Sequence, residues 1–295
     1  MGRAPKWTGG NRVSTVLGRK LGGELNKLRV AVGKTQQEAG DALSATATKV
    51  VKMESGSVPM RDPDIKSLCE LYEADADVAQ RLRELARRDR DQRKVKGWWD
   101  GDPSLAKQVE HISTENAARS IRQWQMAIIP GLFQTPEYVR SMGVADLSWD
   151  DMDRIEGVVD TRLKRQARLH NDNPLKIHAV IWEAALRQLI GGPKVMSRQL
   201  AHLCELAELP HVQIQVLPFL SGAHPCIGGP FTILSFADEG AFDVVYQETA
   251  KSMIWYEDAE KGAYYAGLFD RITGSSLAPY DSLQFISSIQ KEMAA

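Results

Sequence analysis

Between Thr46 and Lys52 the chain gathers Thr46, Ala47, Thr48, Lys49 and Lys52, so hydroxyl, ammonium and methyl groups crowd one short segment. That mixture suits the major groove of duplex DNA. Hydroxyls and ammonium groups donate to phosphate oxygens, lysine also donates to guanine O6 and N7, and a methyl packs on the thymine methyl. Thr48 and Lys52 are therefore expected to face bases, and Ala47 a thymine methyl. Upstream, Gln36 and Gln37 add amide donors at the start of another helical segment. Gln36 and Thr46 stand at helix N-termini, where backbone N–H groups collect anions. Lys49, Ser57 and Arg61 are further phosphate candidates, although a solvated helix face accounts for Lys49 nearly as well.

Such residues act only if short helices hold them at fixed angles. Leu17, Leu21, Leu25, Leu28 and Val32 recur at three- and four-residue steps, which predicts an amphipathic helix ending near Gly33. Thr35-Gln36-Gln37-Glu38 is a capping box that opens a second helix, to about Leu43. Ser44-Ala45-Thr46 forms a turn, and Thr46 caps a third helix that ends at Met53-Glu54 and stops at Ser55-Gly56-Ser57. Asp62-Pro63 reads as an N-cap followed by a first-turn proline, with Ile65, Leu68, Cys69, Leu71 and Tyr72 buried behind it. A fifth helix starts near Asp75–Asp77. Its Arg81, Arg83, Arg87, Arg88, Arg90 and Arg93 alternate with acids, as on a solvated face.

Two helices joined by a tight turn need a small residue at their crossing and a polar outer face; Gly40 supplies the first and Thr46, Thr48, Lys49 and Lys52 the second. Thr35 to Gly56 resembles the lambda-repressor/Cro-like (Xre) helix-turn-helix along its whole length, including the Gln after Thr35, the Glu at the helix end and the closing Gly. Two positions depart from that family. Ala39 stands where it usually has Leu, and Ser44 where it usually has Gly, which costs strain if φ is positive. The resemblance implies a sequence-specific regulator that binds a pseudo-palindromic operator as a homodimer.

Charge agrees with a nucleic-acid-facing head. Residues 1–61 hold 11 Lys and Arg against 4 Asp and Glu, a net +7 in a chain whose total is −1, leaving −8 on the remainder. The three cysteines, Cys69, Cys204 and Cys226, form neither a disulfide framework nor a zinc set. No apolar run is long enough to span a membrane, the first residues show no secretory signal, and Lys6 occupies the place where a myristoylation signal needs Ser or Thr. A cytoplasmic location without membrane contact is expected, as is the absence of cofactor and metal.

The expected division is a flexible arm over 1–14, a helix-turn-helix domain over 15–96, a junction at 97–103 and an effector or interaction domain over 104–295. Of the adjacent Trp98 and Trp99, one ring should be packed and the other partly exposed. Helix is expected for 104–125, an apolar turn at Ile128–Leu132, then helix from Thr135-Pro136 and again from Trp149 to Leu169. Strands are expected at 175–181, 212–217, 231–236 and 244–246, with a helical stretch from Trp182 to Leu209 broken at Gly191-Gly192-Pro193, and a last helix over 282–293. The strand, helix and strand from 175 to 217 fit a crossover between parallel strands. The fold class is thus an all-α head of about five helices followed by an α/β (α+β) domain with a mixed sheet.

This second region resembles the effector domain of the WhiJ-like Xre regulators of actinobacteria. The likeness rests on Ile129-Pro130-Gly131-Leu132-Phe133-Gln134-Thr135-Pro136-Glu137-Tyr138, on Trp182-Glu183-Ala184-Ala185-Leu186-Arg187, on Gln199-Leu200-Ala201-His202-Leu203 and on Val212 to Phe219. It implies a regulator that acts with a small companion protein and bears on development and antibiotic production; as a receiver of signals, the acidic domain is open to a small-molecule effector or a protein. The alternative it leaves open is an antitoxin-like protein that binds a partner and autoregulates its operon. Catalysis is not expected. His178, His202, His211, His224, Glu183 and Glu248 form no recognised catalytic spacing, and Glu183 reads as a helix N-terminal acid.

Overall fold

The computed structural model describes residues 14–100, 102, 105, 108–145, 152–237, 243–249, 252–257 and 259–294. The arm expected over 1–14 lies outside the described residues except for Ser14, as does the stretch before Met152. The chain forms two compact units that divide after Glu115. The junction expected at 97–103 therefore falls inside the first unit.

In that unit, α1 (Val16–Ala31), α2 (Gln36–Ala42), α3 (Ala47–Glu54), α4 (Asp62–Leu71) and α5 (Ala76–Gln92) enclose one core, and α6 (Val109–Ala117) follows. Leu21, Leu25, Val50, Met53, Ile65, Leu68 and Leu82 fill it, together with the ring of Tyr72. Trp99, Leu105 and Ile112 make a second, smaller cluster with Trp98 half-buried beside it. The two indoles meet edge to face with centroids 5.7 Å apart. One start differs from expectation. Arg61, not Asp62, is the N-cap of α4, and it caps with no side-chain bond, so Asp62 and Pro63 sit inside the first turn.

The turn between α2 and α3 is a left-handed C-cap. Ala45 N–H donates to Gly40 O at 2.8 Å, Ser44 N–H donates to Asp41 O at 3.0 Å, and Ser44 takes φ 50°. The non-glycine residue thus carries the strain anticipated for it. Ser44→Gly is expected to raise the stability of the head by about 1 kcal/mol. The check is a urea unfolding curve of the full chain read through α2 and α3 amide exchange; a variant no more stable than the parent refutes it.

The second unit is built on a six-stranded mixed sheet in the order β3-β2-β1-β4-β5-β6. Its strands are β1 (Ser120–Gln125), β2 (Lys176–Trp182), β3 (Val212–Leu217), β4 (Phe231–Ser235), β5 (Val244–Glu248) and β6 (Met253–Tyr256). β1, β2 and β3 run parallel, and Ile177 pairs with Val212 as a crossover requires. β4, β5 and β6 add antiparallel. Helix was expected through 104–125, but α6 stops at Ala117 and Ser120–Gln125 is the central strand. A strand flanked on both sides buries polar positions too, so Gln123 and Gln125 break the alternation that marks a half-buried strand. β6 and α11 (Ala259–Ser275) were also not anticipated.

Phe269 and Ile272 of α11 pack on one sheet face against Trp124, Val180, Phe231, Ile233 and Val245. α10 (Pro193–Leu206) and α12 (Pro279–Ala294) pack on each other, and α12 lies along β3. The remaining helices are α7 (Pro136–Ala145), α8 (Met152–Gln166) and α9 (Glu183–Arg187), so the long helix expected to Leu169 ends in a 3-10 turn.

Candidate nucleic-acid interface

Three backbone arrangements fix α3 in the head. Thr46 caps it, accepting from Lys49 N–H at 3.3 Å. Gly56, at φ 68°, closes it: Gly56 N–H donates to Met53 O and Ser57 N–H to Lys52 O, both at 2.9 Å. Gly40 lets α2 approach closely, since a Cβ there would fall 2.9 Å from Ala45 O. Val50 and Met53 then point into the core, each 1% exposed.

A carboxylate at the end of α3 binds the three helices together. Glu54 accepts from Arg29 Nε at 2.6 Å, from Asn26 Nδ2 at 2.9 Å and from Gln36 Nε2 at 2.8 Å. Burial pushes the Glu54 pKa up, but the hydrogen bonds from Arg29, Gln36 and Asn26 outweigh it and hold the carboxyl below its ordinary value. Sequence reading assigned no partner to Glu54. Arg29 carried a usable signal, because it falls four residues after Leu25 on the buried stripe of α1. The capping box of α2 is complete: Thr35 N–H donates to Glu38 at 2.8 Å and Glu38 N–H to Thr35 Oγ1 at 3.2 Å. The Glu38 carboxylate accepts from Thr35 N–H, from Thr35 Oγ1 at 2.9 Å and from Lys34 Nζ at 3.2 Å, and these bonds draw its pKa down to about 2.

The site residues divide according to partners. Thr48 and Lys52 are exposed on α3, and no side-chain bond joins either to another described residue; Thr46 is exposed beside them and Ala47 half-buried. Gln36 gives one amide N–H to Glu54, which ties its side chain to the end of α3. Gln37 donates to Asp41 at 2.9 Å. Ser57 Oγ lies 2.8 Å from Ser55 Oγ. Lys49 and Arg61 share one buried acid: Lys49 Nζ is 3.7 Å and Arg61 Nη2 3.2 Å from Asp64. That acid was missed in the sequence, where Asp64 is one of several acids opening α4.

The arginine run of α5 is only partly solvated. Arg81, Arg87 and Arg88 do pair with Glu24 and Glu84 at the surface. Arg90, however, donates to Met60 O at 2.6 Å and to Asp62 at 2.8 Å. Arg93 is buried on Asp89 and reaches Gly56 O at 2.6 Å. These two arginines hold α5 against the end of α3 and the loop after it, the segment that carries Ser57 and Arg61.

In the second unit two of the candidate polar residues, Glu183 and His178, bond to other segments of the fold. Glu183 accepts from Arg187 Nε at 2.6 Å and from Phe219 N–H at 2.8 Å, which fastens the loop after β3. His178 Nε2 lies 2.8 Å from Gln215 Oε1, and burial lowers its pKa. His202 and Glu205 form a half-exposed pair at 3.5 Å. Among the described residues no group of three or more His, Cys, Asp and Glu is placed to hold a metal ion, and no helix is long and apolar enough to cross a membrane.

No curated protein and no solved structure matches the chain significantly. Residues 20–85 match a family described as Helix-turn-helix domain (HTH_31). Residues 108–288, well over half of the chain, match the family described as Domain of unknown function (DUF5753), and the chain belongs to that family.

Proposed function

We propose that the protein is a sequence-specific DNA-binding transcriptional regulator of lambda-repressor/Cro-like (Xre) type, with a WhiJ-like effector domain. The observation that carries this reading is the two-sidedness of α3. Its inner face is locked by Val50, Met53 and Glu54, while Thr46, Thr48 and Lys52 stand outward at the start and middle of the helix. The protein acts as a homodimer on a pseudo-palindromic operator, without catalysis. Its second unit receives a small molecule or a small companion protein.

The test begins with an operator selected from random duplexes by the full chain. Lys52→Ala is expected to weaken that site by about 1–3 kcal/mol and to relax one base position, whereas Gln37→Ala weakens all sequences evenly. Unchanged affinity and specificity in Lys52→Ala overturns the placement of the reading helix.

The antitoxin-like alternative uses the same head and gains from one feature of the second unit. The uncharged loop 218–229 exposes Leu220 at 98% and Ile227 at 67%, apolar surface of the kind a protein partner covers.

A further inference from the structure

Val51 lies on the outward face of α3. It follows Ala47 by four residues and Thr48 by three, so the three side chains share one stripe with Lys52 beside them. It is 45% exposed, whereas Val50 and Met53, its apolar neighbours on the helix, are 1% exposed. Leu28, Val32, Leu43 and Val58 line the head's core as half-buried residues, but Val51 is not among them. Nor does the helix itself need valine there, since a β-branched residue is a poorer helix former than alanine. What valine does provide is a pair of methyl groups held in essentially one χ1 rotamer, so little freedom is lost when they meet a partner. Within the reading face it is an apolar spot among hydroxyl and ammonium donors.

We infer that Val51 is a further base-reading position beside Ala47, Thr48 and Lys52, and that it selects the C5 methyl of a thymine. The inference rests on the DNA-binding reading above and adds a base identity to it. Of the four bases, thymine alone offers a methyl group to the major groove. A rigid apolar side chain beside that methyl removes both from water. Replacing the thymine by deoxyuridine deletes the methyl and keeps every hydrogen-bonding group of the base pair. The contact surface lost corresponds to one methyl, about a fourfold change in Kd.

The experiment uses the full-length protein and an operator selected from a random duplex pool. Each thymine of the selected site is replaced in turn by deoxyuridine, and Kd is measured for the parent, Val51→Ala and Lys52→Ala. The parent is expected to lose about fourfold at the Val51 thymine of each half-site, distinct from any thymine that Ala47 meets. Val51→Ala binds the thymine and deoxyuridine duplexes equally there, and Lys52→Ala keeps the fourfold difference. Because the change is made in the DNA, the parent's result does not depend on any variant folding. A parent indifferent to every replacement overturns the assignment, as does a Val51→Ala variant that stays as sensitive as the parent. A pool that enriches no site overturns the DNA-binding reading itself, and this assignment with it; an enriched site that ignores thymine methyls overturns this assignment alone.

Discussion

Asp89→Ala is expected to cost the head about 3–5 kcal/mol, the range for breaking a buried ion pair from one side. The Asp89 side chain is 0% and that of Arg93 6% exposed, with 2.9 Å between Nε and the carboxylate. Asp89 also accepts from Thr15, the residue that caps α1. Arg93 extends to Gly56 O, at the end of α3. Removing the carboxylate leaves a guanidinium in the interior and frees both ends at once. A loss of that size is a large share of the ~5–15 kcal/mol that holds a typical domain folded, so operator binding falls with it. A double variant, Asp89→Leu with Arg93→Met, recovers most of the loss, because no charge is left stranded. Amide exchange of α1 and α3 in the full chain measures both. A single variant within ~1 kcal/mol of the parent shows that the pair does not bear on stability.

The second large effect concerns Gln199 in the other unit. Its side chain sits on α10 in a residue 0% exposed, accepts from Thr135 N–H at 2.7 Å and donates to Phe133 O at 2.6 Å. Gln134 donates to Ile129 O at 2.7 Å, Tyr138 OH accepts from Ile129 N–H at 3.2 Å, and Gln166 donates to Gln134 O at 2.7 Å. In the loop ahead of α7, around the 3-10 turn Gly131–Phe133, the backbone groups Ile129 N–H, Ile129 O, Phe133 O, Gln134 O and Thr135 N–H are therefore satisfied by side chains. Gln199→Leu keeps the bulk but strands two backbone groups, at about 1–3 kcal/mol each. Gln199→Glu, when ionised, buries an uncompensated charge and sets an acceptor against Phe133 O, so at neutral pH it is at least as destabilised as the Leu variant and recovers as the carboxyl takes up a proton that it can donate to Phe133 O. Urea midpoints of the second unit, at neutral and lower pH, compare the three proteins. An unchanged midpoint for Gln199→Leu would mean that the loop is not held by this residue.

That loop explains what a sequence resemblance can and cannot say. The motifs Ile129 to Tyr138 and Gln199 to Leu203 stood out as signatures of an effector domain. In the structure they are the two halves of one packing arrangement, joined by Gln199. Within them, Gln134, Tyr138 and Gln199 satisfy buried backbone groups.

The head was the most legible part because its signals act over three to five residues. The capping box at Thr35 and Glu38, the N-cap at Thr46 and the left-handed turns at Ser44 and Gly56 are all hydrogen bonds between near neighbours in the chain. The alternation of Val212 to Leu217 was equally legible as a strand, although at the sheet edge only Gln213 of β3 is exposed and Gln215 is buried, donating to Leu277 O at 2.8 Å. β1 was not, because its buried glutamines hide the alternation and its place between β2 and β4 comes from residues far away in sequence.

By itself, then, the sequence determined the helices of the head, the turn between α2 and α3, the polar outer face of α3 and the class of the second unit. Tertiary structure alone decided which charged residues face water. Arg87 on α5 and Arg93, its C-cap, belong to the same alternation of acids and bases, yet Arg87 pairs at the surface and Arg93 is buried against Gly56, 37 residues away. A local bond is set by backbone geometry that neighbouring residues share, whereas burial of a charge depends on which distant segment folds over it. Nothing within α5 encodes that segment's position.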